Sequence, residues 1–336
     1  WLRALPKCEL HLHLEGTVTP ETLVVLSARH DSEPLRLEDV RELYKYKDFA
    51  HFLKTFTLVC DRLLTPDDYA LVAREMVRDL AGQGVVHAEV YVAWGNIMRW
   101  KPDLQVEDVM RALEDAVAGI EDQTGTTPPS ILWIADASRQ WGSEHVGEVF
   151  RLAARLREQV PSVVGVGIGG DEAGGPMEWF HEVYAEAKKA GLRLTAHAGE
   201  ATGAVQGPNE IRTALKMGVE RVGHGLAAQY DQDLMAILAR TRVPLEINIM
   251  SNVLTGCCLS VQEHPLPMFL DNGILCTINS DDPAMFGSQC LDEYVLIYEK
   301  LGLSLEDLRS LARNSVTASF LREEAKRKIL ADITNH

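Results

Sequence analysis

The chain is poor in cysteine, in aromatic residues and in positive charge. Its 336 residues include only six cysteines, too few and too scattered for a disulfide framework. Cys257 and Cys258 are adjacent, which is not the spacing of a zinc knuckle. Cys60 falls in a helical pattern and Cys276 in the apolar run Gly273–Ile278, so the thiols read as buried and reduced, as in a cytoplasmic protein. No apolar stretch approaches the roughly 18 residues of a membrane span, and no signal-peptide pattern precedes the first motif. Lys and Arg number 33 against 49 Asp and Glu, a formal net charge of −16. A chain so charged repels phosphate backbones and anionic headgroups, so neither nucleic acid nor membrane is expected as a partner. What remains, 46% hydrophobic and 24% charged residues, is the composition of a globular protein.

Short β-rich runs alternate with longer helical patterns, the signature of βαβ units and a parallel sheet. Eight runs read as strands: Cys8–Leu14, Val85–Ala93, Ile131–Ala135, Val163–Gly169, Leu192–His197, Arg221–Gly223, Val243–Ile249 and Ile274–Ser280. Amphipathic stretches such as Ser143–Gln159, Met177–Ala190, Pro208–Met217 and Gln232–Arg240 lie between them. The fold class is therefore α/β, a (β/α)8 TIM barrel spanning residues 1–336 as a single domain. Residues 15–84 interrupt the rhythm with helices around Pro20–His30, Leu37–Lys45, Phe49–Leu63 and Pro66–Gln83. That segment is too long for a loop and is expected to form a helical insertion over the barrel mouth, a lid. Residues 290–336 are expected to add C-terminal helices, with Glu306–Leu330 closing the outer ring.

In such a barrel the chemistry sits where strands run into the following loops, and the unusual polar residues fall at those points. His11 and His13 end strand one. Gly169-Gly170-Asp171-Glu172 ends strand four, His197-Ala198-Gly199-Glu200 strand five, Gly223-His224-Gly225 strand six and Ser280-Asp281-Asp282 strand eight. Residues two apart on a strand share a face, so His11 and His13 can reach one ion, though two hydrogen-bonded core histidines would look the same. His197 and Asp281, at the ends of two other strands, tip the balance: three imidazoles and a carboxylate suit zinc with an open position, hence catalysis. Glu200 lies three residues past His197, placed to face the reacting centre without ligating, as a proton carrier. A solvated loop glutamate is its alternative. His224 sits between glycines without apolar neighbours and is expected to orient or stabilise the attacking hydroxide.

The other histidines keep plainer readings. His30, His51, His145 and His181 fall on helical or loop stretches, and His264 precedes Pro265 at a helix start. His87-Ala88-Glu89 matches half of the small zinc-deaminase signature, but the required Pro-Cys-x-x-Cys is absent, so His87 and Glu89 read as part of a polar barrel layer.

Lys7-Cys8-Glu9-Leu10-His11-Leu12-His13-Leu14-Glu15-Gly16 resembles the opening motif of the adenosine deaminase family. Thr195–Glu200 resembles its proton-shuttle motif, Arg221–Gly225 its histidine motif and Ser280–Pro283 its strand-eight ligand motif. Ser251-Asn252 and Leu254-Thr255-Gly256 add to the likeness, which covers nearly the whole chain in family order. The resemblance implies a hydrolase with a single zinc ion per chain, acting on a small-molecule purine nucleoside. It implies that His11, His13, His197 and Asp281 hold Zn2+, and that Glu200 protonates the ring nitrogen N1. His224 and Asp281 would position and deprotonate the water that attacks C6. Asp282 would contact N7, and the Gly170 backbone N–H would meet N3. His13 and Glu15 would also border the substrate.

Departures from the family pattern bear on the substrate. Glu15 stands where typical adenosine deaminases carry an aspartate that meets the ribose; glutamate there is more familiar from adenine and aminofutalosine deaminases. Strand seven reads Ile247-Asn248-Ile249-Met250-Ser251 where a Cys-Pro pair is more usual. Ser138-Arg139-Gln140-Trp141-Gly142 resembles the aminofutalosine branch, and Arg139 is expected to meet a substrate carboxylate, with a surface arginine as the equal alternative. Adenosine and 6-aminofutalosine both stay open, with adenine less favoured. No lysine ends strand four, which argues against a binuclear amidohydrolase. A catalytically silent nucleoside-binding relative would have lost a ligand or the shuttle, and none is missing. Assembly into a homo-oligomer is left open.

Overall fold

The computed structural model describes residues 1–120 and 128–336. Its strands are β1 Lys7–His13, β2 Val85–Val92, β3 Ser130–Ser138, β4 Val163–Gly169, β5 Arg193–Ala198, β6 Arg221–His224, β7 Leu245–Ile247 and β8 Cys276–Ile278. Neighbours pair in parallel and in chain order from β1 to β8. The ring closes just past β8, where Leu12 bridges Asp281. The Asp281 N–H donates to the His11 carbonyl at 3.1 Å and the His13 N–H to the Asp281 carbonyl at 2.9 Å. This is a (β/α)8 barrel, and its closing hydrogen bonds interleave three of the residues at issue.

Each expected strand is present. β3 runs three residues further than its apolar run suggests, to Ser138, while β7 and β8 are three residues each. Between β1 and β2 lie helices Pro20–His30, Leu37–Leu43, Phe49–Cys60 and Pro66–Gly82. Local chemistry sets their starts: Thr19 caps the first with Pro20 following, and Thr65 forms a capping box with Asp68 ahead of Pro66. Such caps contribute about 0.5–2 kcal/mol each. Helix Pro66–Gly82 buries Tyr69, Val72, Ala73, Met76, Val77 and Leu80, an i, i+3, i+4 stripe that anchors the insertion to the barrel.

Two boundaries differ from expectation. The helix read as starting at Pro208 begins at Gly203, so the proline follows an opening turn. Glu306–Leu330 is not continuous: it is helix Leu305–Ala318, a break, and helix Glu323–Asn335. Tertiary contacts make the break. The Phe320 N–H donates to the Glu89 carboxylate, and the Arg221 guanidinium stacks 3.9 Å from the Phe320 ring centre. Phe320 thus plugs the barrel floor, which a continuous helix would prevent. Cys60 and Cys276 are buried. Among the described residues no helix is long and apolar enough to cross a membrane.

Candidate active site

The ends of β1, β5, β6 and β8 converge on one point. Ligand atoms of His11, His197, His224 and Asp281 all lie within 4.8 Å of one another. His13 joins them, with Nε2 at 3.3 Å from His197 Nε2 and 3.4 Å from Asp281 Oδ1. Every residue of this group is buried. Packing makes the convergence possible: a Cβ on Gly223 would stand 2.8 Å from His11 Cε1, so only glycine lets β6 pass behind that ring.

The donor set fits a metal ion. His11 Nδ1 donates to Glu246 Oε2 at 2.7 Å and His197 Nδ1 donates to the Ile168 carbonyl at 2.9 Å. Each partner only accepts, which leaves an Nε2 lone pair on both rings facing the cluster. His11 Nε2 lies 3.2 Å from Asp281 Oδ1 yet has no aligned hydrogen bond. Two electron-rich atoms buried at that distance call for a cation between them. Burial would lower the pKa of His11, but Asp281 and Glu246 outweigh it and push it up to about 10, so an ion binding at Nε2 would displace a proton from it. Burial lowers His13 to about 4 and holds His197 well below its usual value, with the neighbouring imidazoles adding to the effect. Burial also opposes ionisation of Asp281, but the close approach of His11 and the surrounding histidines hold it well below the usual carboxylate range.

Glu200 stands on the turn after β5, its Oε1 3.6 Å from His224 Nε2. Glu172, buried after β4, builds that turn by accepting from the backbone N–H groups of Gly199, Glu200 and Ala201 and from the Thr202 hydroxyl. Burial first, then the charges of Asp281 and Glu172, raise Glu200 well above its ordinary value and so favour its protonated form. Ser251 donates to Asp281 Oδ2 at 2.6 Å and fixes its second oxygen. His224 and Asp281 hold left-handed backbone, φ 58° and 66°, which non-glycine residues adopt at a cost of ~1–3 kcal/mol.

A cavity of about 700 Å³, including its open mouth, adjoins the cluster. His13, His197, Glu200, His224 and Asp281 form its floor, with Gly170 and Asp282 beside them. Asp282 Oδ1 has no partner, and a Cβ on Gly16 would lie 2.0 Å from that atom, so glycine there makes room for the carboxyl. One wall is aromatic and aliphatic, from Phe49, Phe52, Leu53 and Phe56 of helix Phe49–Cys60; Trp100 and Trp141 line another part.

Two expected substrate contacts are not at the cavity surface. Arg139 is fully buried and every arm of its guanidinium is engaged: Nε donates to the Gly175 carbonyl at 2.6 Å, Nη1 to the His197 carbonyl at 2.8 Å and Nη2 to Glu210 Oε2 at 2.6 Å. The single turn Arg139–Trp141 sends Arg139 beneath the loop and presents Gln140 and Trp141 to the cavity instead. Glu15 is buried behind the wall, accepting from the Ala93 N–H at 3.0 Å, with Oε2 unpartnered. Sequence reading missed Asp136 at the end of β3. It lines the cavity with Oδ1 unpartnered, and burial, then Glu15, raises its pKa well above the usual value. It also missed Glu246, whose only signal is a polar residue within an apolar strand, and gave Ser251 no role beyond the family likeness.

The adenosine deaminase family model matches residues 6–336. The chain is 38% identical to the aminodeoxyfutalosine deaminase of Streptomyces avermitilis, covering all of this chain and 92% of that one. It is 36% identical to the adenine deaminase of Streptomyces coelicolor, covering 99% and 96%. The crystal structure of an adenine deaminase from Arthrobacter aurescens superposes with a TM-score of 0.90 at 31% identity over 99% of both chains. The chain belongs to the adenosine deaminase family, whose named relatives here are deaminases, hydrolases acting on C–N bonds.

Proposed function

We propose that this protein removes the 6-amino group of an adenine nucleoside by hydrolysis, giving the 6-oxopurine and ammonia. The observation that carries the reading is the meeting of Glu200, whose pKa burial raises well above its ordinary value, with His13, His197 and Asp281 on one cavity floor, His11 completing the group. A single Zn2+ held by those four residues would supply a water whose pKa falls toward ~7. The chain's own groups do the rest. Glu200 holds its proton at N1 and delivers it as C6 becomes tetrahedral. Asp281 accepts the proton of the attacking water, and His224 holds that water in line. Asp282 and the Gly170 N–H bind N7 and N3. Ammonia leaves when the proton returns to the amino nitrogen and the C–N bond breaks.

For the substrate we favour 6-aminofutalosine, with adenosine second and adenine third. The cavity offers more room than a bare purine fills, and Trp100 and Trp141 provide aromatic surface beyond the floor. The Arg99 guanidinium lies 5.0 Å from the Trp141 ring centre, so a cation stands behind that surface. The name of the Streptomyces avermitilis relative supports the same choice. Helices Pro20–His30 through Pro66–Gly82 would act as a lid, because Phe49, Phe52 and Phe56 already close one side of the mouth. An ultraviolet assay of the zinc-loaded protein on 6-aminofutalosine, adenosine, 2′-deoxyadenosine and adenine tests the reading. Turnover of at least one is expected, with kcat/KM highest for 6-aminofutalosine; turnover of none would sink the proposal.

A further inference from the structure

We infer that His264, acting through Asn252, fixes the ring proton of His224 on Nε2, so that His224 meets the reacting centre as a hydrogen-bond donor. The inference rests on the reading of His224 as a group beside the attacked carbon. The Leu266 N–H donates to His264 Nδ1 at 3.1 Å. A backbone N–H can only donate, so Nδ1 holds the lone pair and the neutral ring carries its hydrogen on Nε2. Burial keeps the ring neutral by pushing His264 down to about 3.

His264 Nε2 lies 3.3 Å from Asn252 Oδ1 and donates there, which orients that amide. Asn252 Nδ2 then donates to His224 Nδ1 at 2.9 Å. A second amide arrives independently. Asn248 Nδ2 faces the Glu246 carbonyl at 3.3 Å and His224 Nδ1 at 3.2 Å. A carbonyl only accepts, so the end of Asn248 turned to His224 is its NH2. With two donors on Nδ1, the hydrogen of His224 sits on Nε2, which lies 3.6 Å from Glu200 Oε1 and 3.7 Å from Asp281 Oδ2.

Two consequences follow for the chemistry. A protonated Nε2 has no lone pair for a metal, so His224 falls outside the ligand set although its ring lies within the cluster. It also gives a hydrogen bond and takes no proton, which leaves deprotonation of the water to Asp281. His264 is buried, does not line the cavity and touches no metal-ligand candidate, so it is a positioning residue.

The test uses zinc-loaded protein labelled with 15N-histidine. Long-range 1H–15N spectra distinguish the two ring tautomers, and the His224 signals are assigned by their loss in His224→Gln. The wild type should show His224 as the Nε2–H form. In His264→Leu, Asn252 loses its orienting donor and Asn248 alone still donates to Nδ1; an Nδ1–H population should then appear beside the Nε2–H form, and kcat should fall a few-fold with KM and zinc content held within twofold. His264→Gln, whose amide can accept from Leu266 and donate to Asn252, should restore both readouts. Asn252→Asp interrupts the chain without touching His264 and should drive His224 toward the Nδ1–H form, keeping the test open if His264→Leu fails to fold. An Nδ1–H signal in the wild type overturns the inference, as does an unchanged Nε2–H signal in both His264→Leu and Asn252→Asp. If the wild type deaminates no purine, the deaminase reading fails while the tautomer result still stands or falls by itself.

Discussion

Two buried polar clusters share the interior of this barrel, one near its floor and one at its mouth, and they differ in how fully they are paired. On the floor side Arg221 binds Glu89 and Glu246, His87 reaches Glu89, and the Phe320 N–H completes the Glu89 shell. At the mouth, His11 Nε2, Asp136 Oδ1, Asp282 Oδ1 and Asn248 Oδ1 have no hydrogen-bond partner. Buried polar atoms are nearly always satisfied, so a local run of orphans marks where something else binds. The paired cluster stabilises the fold, and the unpaired one has the free donors and acceptors that the proposed ion and substrate require. Glu246 belongs to both: one oxygen holds Arg221 and the other holds His11.

The largest effect is expected at Glu200, in the unpaired cluster. Glu200→Gln should retain zinc and fold, because glutamine keeps the volume and Glu200 is no ligand, yet lose ~10²–10⁴ in kcat. The reaction needs the protonated carboxyl, and burial raises its pKa; activity should therefore persist through neutral pH and fall on the alkaline side. Metal content, melting temperature and kcat on one preparation check this, and turnover within a few-fold of wild type would remove Glu200 from the mechanism.

Arg221→Met probes the paired cluster. It leaves Glu89 and Glu246 as buried, uncompensated charges, and should cost about 3–5 kcal/mol in urea unfolding. Its folded, zinc-loaded fraction should lose far less kcat than Glu200→Gln does. Equal losses in kcat would mean that the two clusters are not separable.

Glu246→Gln tests the residue they share. The orienting carboxylate behind His11 is lost, and zinc affinity should weaken ~10–100-fold in a chelator competition. Unchanged affinity would show that His11 needs no support from β7.

The smallest effect is expected at the rim. Arg99→Ala should lower kcat/KM for 6-aminofutalosine by a few-fold more than for adenosine, since it removes only an exposed cation behind Trp141. Arg139→Ala should leave that ratio unchanged while destabilising the fold, because its guanidinium serves Glu210 and two carbonyls. A ratio that moves with Arg139 and not with Arg99 would reverse the assignment.

Much of this was legible in the sequence, for identifiable reasons. Strand ends are readable because a histidine, acid or glycine abruptly stops an apolar run, as at His13, His197, His224 and Asp281. The insertion helices announce themselves through Thr-Pro starts at Thr19 and Thr65. What escaped depends on direction or on distant partners. Arg139 lies where a mouth residue should, just past β3, but one tight turn points it under the loop. Phe320 interrupts a helical stretch because Glu89 and Arg221, distant in sequence, lie beneath it. His264 looks like a helix-start residue until the fold brings Asn252 to its ring.

The central claim is that the unpaired cluster at the mouth holds a single catalytic ion. Elemental analysis of the zinc-loaded protein after gel filtration tests it most directly. One zinc per chain is expected in the wild type and in Glu200→Gln, and none in His13→Ala; two ions per chain, or full retention in His13→Ala, would show that this cluster is not a single-ion site.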